Sequence, residues 1–293
     1  MTLRDFFLLV GVCLIWGMSN VLSKLVVGNW HIPPLFFAAV RFAIVLAATL
    51  PWLRPVPRPL WRIFAVGLLI GAGNFALLFI GLQSASPSSA AVVIQAGVPI
   101  TTLLSIAMLG ERIHWRRALG ITLTLAGVLV VVWHPGLALS RGLLFVLAAA
   151  FSGSLGAIMM KQMEAIAPLR FQAWVGLTAV IPLSIASALT EQGQWAASLA
   201  AGWPFVAALL FSALVVSVGA HTAYYGLIAR YEANLLAPLT LITPLSTIAL
   251  GVLITGDTLD MRTIAGSAIA LIGVLIVAVR RTGAPIAEAQ EHS

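Results

Sequence analysis

The chain has 293 residues, of which 61% are hydrophobic and only 9% charged, with a net charge of +7. An ordinary globular domain carries about 25% charged residues, so this composition excludes a water-soluble fold, and its apolar runs are far too long for core strands. A positive excess also marks nucleic-acid binders, but here the arginines fall in short loops between apolar runs, and no nucleic-acid partner is expected.

Ten apolar runs follow one another, approximately at 5–27, 33–53, 62–83, 88–109, 117–133, 142–163, 168–190, 203–229, 234–255 and 262–280. Each has about the length a helix needs to cross a bilayer. The first run begins almost at once, at Phe6, and ends without a small-residue cleavage site. It is therefore expected to be a retained span rather than a removed signal. Cys13, the single cysteine, lies inside it, so no intramolecular disulfide is expected. The Pro/Arg-rich stretch Arg54–Pro59 and the turn His134–Gly136 punctuate the spans. Glu191–Gly202 is the longest and least apolar connection, and residues 282–293 read as a disordered cytoplasmic tail.

Basic residues segregate. With ten spans, 12 lysines and arginines (Arg4, Arg54, Arg58, Arg62, Arg112, Arg116, Arg117, Lys161, Arg170, Arg230, Arg280 and Arg281) fall on one side and 2 (Arg141 and Arg262) on the other. The positive-inside rule then makes both termini cytoplasmic. Lys24 and Arg41 lie inside spans. They read first as side chains snorkelling to the outer interface, with pairing to a substrate carboxylate as the alternative.

The two halves repeat, with boundaries at 1–140 and 141–281. Setting Gly81 on Gly226 aligns Gln95 with Thr240, Pro99 with Pro244 and Thr102 with Thr247. One inserted residue later, Gly110-Glu111 meets Gly256-Asp257, Gly120 meets Gly266 and Gly127 meets Gly273. Five helices per unit is an odd number, so the second copy must be inverted in the membrane. A proline inside a helix has no N–H and displaces the carbonyl four residues earlier, here those of Gln95 and Thr240. Interrupted backbone inside a bilayer is tolerated only against protein or a wet cavity. Matching broken helices in two halves therefore point to a transport site at the midplane. Gly67 with Gly71, Gly120 with Gly127, and Gly266 with Gly273 read as close helix-packing patches, in a chain taken as a monomer.

Polar and aromatic side chains one or two turns apart suggest the lining of a central pocket. They are Trp16 and Asn20; Asn74, Phe75, Leu78 and Phe79; Gln95 and Pro99; Ser152 and Met159; Ser217, His221 and Tyr224; and Thr240 and Pro244. The pocket is expected to be neutral and amphipathic, suited to a zwitterionic amino acid whose ammonium faces the Gln95 and Thr240 carbonyls. No Asp or Glu lies near the middle of a span, so uncoupled movement is expected. His221, the one mid-span side chain that titrates near neutrality, is the candidate proton relay otherwise.

The two GE/GD-x(8)-G-x(6)-G segments, the start Trp16-Gly17-x-Ser19-Asn20-x(3)-Lys24 and Arg41 in the second span together resemble the drug/metabolite transporter superfamily, specifically its ten-helix EamA type. The resemblance covers nearly the whole chain and is most like the YddG-type exporters of aromatic and other amino acids. It implies an all-α integral membrane protein of ten transmembrane helices in two inverted five-helix repeats, seated in a bacterial-type inner membrane. It further implies a small amino acid-like substrate and lipid as partners, no cofactor or metal, and export by alternating access. The alternatives are a proton-linked multidrug or quaternary-ammonium exporter, an uncoupled pore and, more distantly, a membrane-embedded enzyme. For an enzyme no H-E-x-x-H, G-x-S-x-G or intramembrane aspartate pair is present, and Ser19 with His221 is the single conceivable nucleophile–base pair. For an ion pore, rings of charge are lacking.

Overall fold

The computed structural model describes residues 1–110, 113–133, 140–228, 230–231, 236 and 238–278. The tail at 282–293, the turn His134–Gly136, Glu111, Arg112, Glu232, Ala237, Arg280 and Arg281 lie outside these residues. Among the described residues nine helices are long and apolar enough to cross a membrane, and a tenth apolar helix is shorter. They are α1 (Leu3–Asn29), α2 (Pro34–Leu53), α3 (Leu60–Ser84), α4 (Pro87–Leu109), α5 (Trp115–Val132), α6 (Arg141–Lys161), α7 (Pro168–Thr190), α8 (Gln194–Ile228), the shorter α9 (Ile242–Thr255) and α10 (Met261–Ala278).

Local chemistry sets the ends and breaks. The Thr2 hydroxyl accepts the Asp5 N–H at 3.2 Å and caps α1. Two carboxylate oxygens of Glu191 take the free N–H groups of Leu35 and Phe36 at 2.7 and 2.8 Å, satisfying the start of α2 from across the fold. Gly110 and Gly256 stand just past the C-terminal ends of α4 and α9 with φ of 68° and 67°. That left-handed backbone favours glycine, which explains why both repeated motifs begin with one.

The matched prolines do not sit where a mid-helix kink would put them. α4 runs Pro87–Val93, tightens through Ile94–Ala96 and restarts as Gly97–Leu109, so Pro99 lies in the first turn of the second piece. Pro244 likewise lies in the first turn of Ile242–Leu250. A first-turn N–H has no intrahelical acceptor, so proline costs nothing there. The expectation of released carbonyls is corrected by the same geometry. The Thr240 carbonyl accepts the Thr243 N–H at 3.0 Å, and the Gly97 N–H is shared between the Gln95 and Ile94 carbonyls.

A second correction concerns the connection read at Glu191–Gly202. Residues 194–201 are helical, and the chain breaks at Gly202 (φ 60°, ψ −143°) before entering the span. Gln and Ala favour helix here. Trp195 and Leu199, four apart and 74% and 81% exposed, share one outer face. An exposed apolar stripe next to a span suits the membrane interface. Trp52, Trp61 and Trp115 at one end of the bundle, and Trp133, Trp195 and Trp203 at the other, are also exposed, as interfacial aromatic belts are.

Helix pairing follows the repeat. α5 packs most extensively on α10 and α2 on α7, each helix on its own counterpart. α1 packs on α8 and α9, while α6 packs on α3 and α4, the counterparts exchanged. Self-paired antiparallel helices require a pseudo-two-fold axis in the membrane plane, so the repeats are inverted. The glycines lie at its closest approaches. A β-carbon added at Gly127 would stand 2.5 Å from the Gly266 carbonyl oxygen, and one at Gly120 would stand 2.8 Å from that of Gly273. Gly67 and Gly71 meet Thr178, Val175 and Ala179 of α7. All of these patches are consumed inside the chain.

Gly127→Val is expected to overpack α5 against α10, costing about 1–3 kcal/mol and lowering the melting temperature of the purified protein. Gly11→Ala, with no heavy atom within 4 Å of the added carbon, should leave it unchanged. Reporter tags at Met1 and Ser293 should both be accessible from the cytoplasmic face alone.

Candidate substrate cavity

Hydrocarbon cannot solvate amides or hydroxyls, so the polar side chains of the spans turn inward. They meet at a cavity of about 340 Å³ lined from α1, α2, α3, α4, α8 and α9. Two of the lining helices carry a widened, π-helical stretch that ends immediately before a polar lining residue. In α3 it is Leu68–Gly73, before Asn74; in α8 it is Phe211–Ala220, before His221. Such stretches leave carbonyls shifted in register and recur at functional sites. The His221 ring uses one: its Nδ1 lies 2.8 Å from the Val216 carbonyl oxygen. A carbonyl only accepts, so Nδ1 carries the proton, and Nε2 of the neutral ring is an acceptor.

Trp16 of α1 packs against this histidine, its ring tilted, and meets Tyr224 edge-to-face, with ring centroids 5.1 and 4.9 Å away. The Trp16 indole Nε1 is buried without a hydrogen-bond acceptor among the described residues. Asn20 Nδ2 donates to Thr247 Oγ1 at 3.3 Å, and Asn74 Nδ2 donates to the Ala149 carbonyl at 2.7 Å. Each bond fixes an amide so that its carbonyl oxygen is available.

Arg41 is the feature that sequence reading misjudged. It does not snorkel. It is 1% exposed, lines the cavity, and stacks its guanidinium 4.3 Å from the centre of the Phe75 ring and 5.8 Å from that of Phe79. Nε and Nη2 donate to Ser217 Oγ at 3.1 and 2.9 Å, and that hydroxyl donates to the Ser212 carbonyl at 3.2 Å. The cavity is therefore cationic, not neutral. The signal was available, since a lone charge deep in a span is a functional candidate by default.

A second cavity, of about 500 Å³, is lined by Gln95, Gly97, Thr101, Thr102, Arg117, Thr240 and the end of α10 at Val277 and Ala278. Asn74 and Ile94 line both cavities and so form the partition between them. Arg117, Val277 and Ala278 put the second cavity toward the arginine-rich side. At the opposite end, Asp257 accepts Ser88 N–H and Oγ–H at 2.9 and 2.5 Å, fastening the start of α4 to the end of α9. Lys24 Nζ donates to the Gln83 carbonyl at 3.1 Å nearby. On the arginine-rich side Asp5 accepts from Tyr231 Oη at 2.6 Å and lies 3.6 Å from Arg230, tying α1 to the chain after α8.

The residues singled out in the sequence therefore divide. Trp16, Asn20, Asn74, Phe75, Leu78, His221 and Tyr224 line the central cavity; Gln95 and Thr240 line the second one, with Asn74 shared. Phe79, Pro99, Ser152, Ser217 and Pro244 are buried behind the walls, and Met159 is half-buried against the core. Ser152 donates to the Leu69 carbonyl at 2.8 Å, a helix-to-helix bond. Tyr225, Ala90, Ala91, Leu82, Val216 and Thr243 line the cavity without having been singled out. Small apolar residues carry no sequence signal for such a role. Ser19 and His221 share the cavity, but no hydrogen bond joins them.

The family model described as "EamA-like transporter family" matches residues 4–133 and again residues 140–279. The chain belongs to the EamA-like transporter family. It is a multi-pass membrane transporter and not an enzyme. Relatives include a "Probable amino-acid metabolite efflux pump" of Salmonella typhimurium strain LT2, 30% identical and covering 96% of this chain and 98% of that protein. One of the same name from Escherichia coli strain K12 is 28% identical over 94% and 95%. A solved crystal structure aligns with a TM-score of 0.61 at 19% identity, covering 94% of this chain and 96% of that one, a likeness of fold. In this EamA-like protein Pro99→Ala should let α4 run on through its break. The expected outcome is a several-fold slower flux in proteoliposomes with an unchanged elution profile on size exclusion.

Proposed function

We propose that the chain exports small zwitterionic metabolites across the inner membrane, amino acids with apolar or aromatic side chains first among them. The observation that carries this reading is the chemistry of the central cavity. Amide oxygens of Asn20 and Asn74 and the His221 Nε2 are acceptors for an ammonium, Arg41 is a donor, and Trp16, Phe75, Leu78 and Tyr224 offer an apolar wall. Its volume of about 340 Å³ falls at the small end of the range of about 300–1,000 Å³ for small-molecule sites. The names of the Salmonella typhimurium and Escherichia coli relatives support the substrate class and the outward direction.

Alternating access is the mechanism that inverted repeats serve. On this reading the Asp257–Ser88 tie and the Asp5–Tyr231 tie are the two closures, made and broken in turn. Movement is uncoupled. Asp5, Glu164, Glu191, Asp257 and Asp260, the described carboxylates, all sit at span ends or in loops, away from the position of a relay. A proton on His221 would add a second positive charge beside Arg41 in one low-dielectric space, which argues against the relay role. The same arginine disfavours a quaternary-ammonium substrate.

Protein reconstituted in liposomes and offered radiolabelled amino acids, nucleobases and organic cations is expected to move phenylalanine-like amino acids. It should move the cations no faster than empty liposomes do. An imposed pH gradient is expected to leave the initial rate unchanged; a rate that follows the gradient would restore His221 as the relay.

A further inference from the structure

We propose that Arg41 is the anchor for a carboxylate on the transported molecule, with the Ser217 hydroxyl holding the guanidinium in place and the Trp16 indole N–H as a second donor. The inference rests on reading the central cavity as the transport site, and it deepens that reading by saying which end of the substrate goes where. A guanidinium taken out of water needs a counter-charge or a full set of acceptors. Arg41 has neither. Among the described residues the ion pairs are Arg230–Asp5 and Arg262–Asp260, and no carboxylate reaches Arg41. Two of its nitrogens share one hydroxyl, and Nη1 has no hydrogen-bond partner among the described residues.

The guanidinium is nevertheless held firmly. Phe75 stacks on it, Phe79 backs it, and Ser217 fixes the plane through Nε and Nη2. A rotamer-rich side chain so constrained, with a vacant donor edge on a cavity, is preorganised for a planar anion. Trp16 lines the same cavity, and its buried indole N–H also has no acceptor among the described residues. Other titratable side chains lining the space, His221, Tyr224 and Tyr225, are neutral in their ordinary states, so nothing among the described residues balances the charge. One carboxylate on the ligand balances it and accepts the free N–H groups. The ammonium of an amino acid then lies toward the amide oxygens of Asn20 and Asn74, and its side chain against the aromatic wall.

The test separates the ends of the ligand. Binding to purified protein is measured calorimetrically for L-phenylalanine, L-phenylalaninamide, phenethylamine and 3-phenylpropionate. Wild type is expected to bind the two carboxylates and to lose at least about tenfold in affinity for the amide. Arg41→Gln should weaken both carboxylates by a similar factor and leave the amide and amine bound no more weakly than before, since it also removes a like charge, and Arg41→Lys should recover part of the loss. Should Arg41→Gln fail to fold, the acid–amide comparison on wild type still decides. An amide bound as tightly as the acid overturns the anchor while leaving amino-acid export standing. Arg41-dependent binding of 3-phenylpropionate by a protein that moves no amino acid overturns the export reading and keeps the anchor. Failure of every carboxylate to bind overturns the anchor as well.

Discussion

Hydrocarbon gives no hydrogen bond to anything, and that single fact governs the arrangement of this chain. Each backbone group in the spans must be paired within the protein, so the spans are helices, and any departure from the regular ladder must be turned inward. Several departures are grouped. The tightened turn in α4, the restart of α9 and the widened stretches of α3 and α8 all adjoin residues that line the central or the second cavity. Had the same breaks faced lipid, every unpaired carbonyl would have cost several kcal/mol. Inside, they adjoin the polar side chains that line the two cavities.

A cavity at the centre of a bundle also requires that other helices close ranks around it. That closure is steric more than polar. At the α5–α10 contact, Gly120 faces Gly273 and Gly127 faces Gly266, so two backbones meet where any side chain would collide. Without a hydrophobic force between helices in lipid, such close backbone contact is what holds them. α2 and α7, the other self-paired helices, use longer side chains and bury Phe42, Val45, Trp174 and Val175 in the main core. The crossed pairs, α1 with α8 and α9 and α6 with α3 and α4, pack beside these two self-paired contacts. Together with Arg41 of α2, Arg117 of α5 and the end of α10, these pairs line the two cavities.

Much of this was legible in the sequence because composition and spacing are coarse signals that tertiary detail does not erase. Ten apolar runs, the glycine pairs seven apart and the matched prolines survive any local rearrangement. The helix at 194–201 was harder to see, because polarity alone does not separate a loop from an interfacial helix; the Trp195–Leu199 spacing does. The prolines told where the helices break but not which carbonyls result. A first-turn proline removes nothing, whereas a mid-helix one removes a bond, and sequence position does not distinguish them. Arg41 was misjudged for a related reason. Depth within a span fixes neither the face a side chain occupies nor whether Phe75 and Ser217 stand ready to receive it.

The symmetry of the fold and the asymmetry of the cavity answer different demands. On the proposed alternating access, opening to each side in turn asks the two halves to exchange conformations, so the parts that would bend and slide must be equivalent. Pro99 and Pro244, Gly110 and Gly256, and the glycines of α5 and α10 are repeated accordingly. A substrate has no such symmetry. With Pro34 set on Pro168, Arg41 falls on Val175, a buried apolar residue, and on the alignment that matches Pro99 to Pro244, Asn74 falls on Gly219. Two guanidiniums facing one another across a dry cavity would repel and would bind a zwitterion in two opposed orientations. Retaining one leaves a single site with a positive end and an amide end.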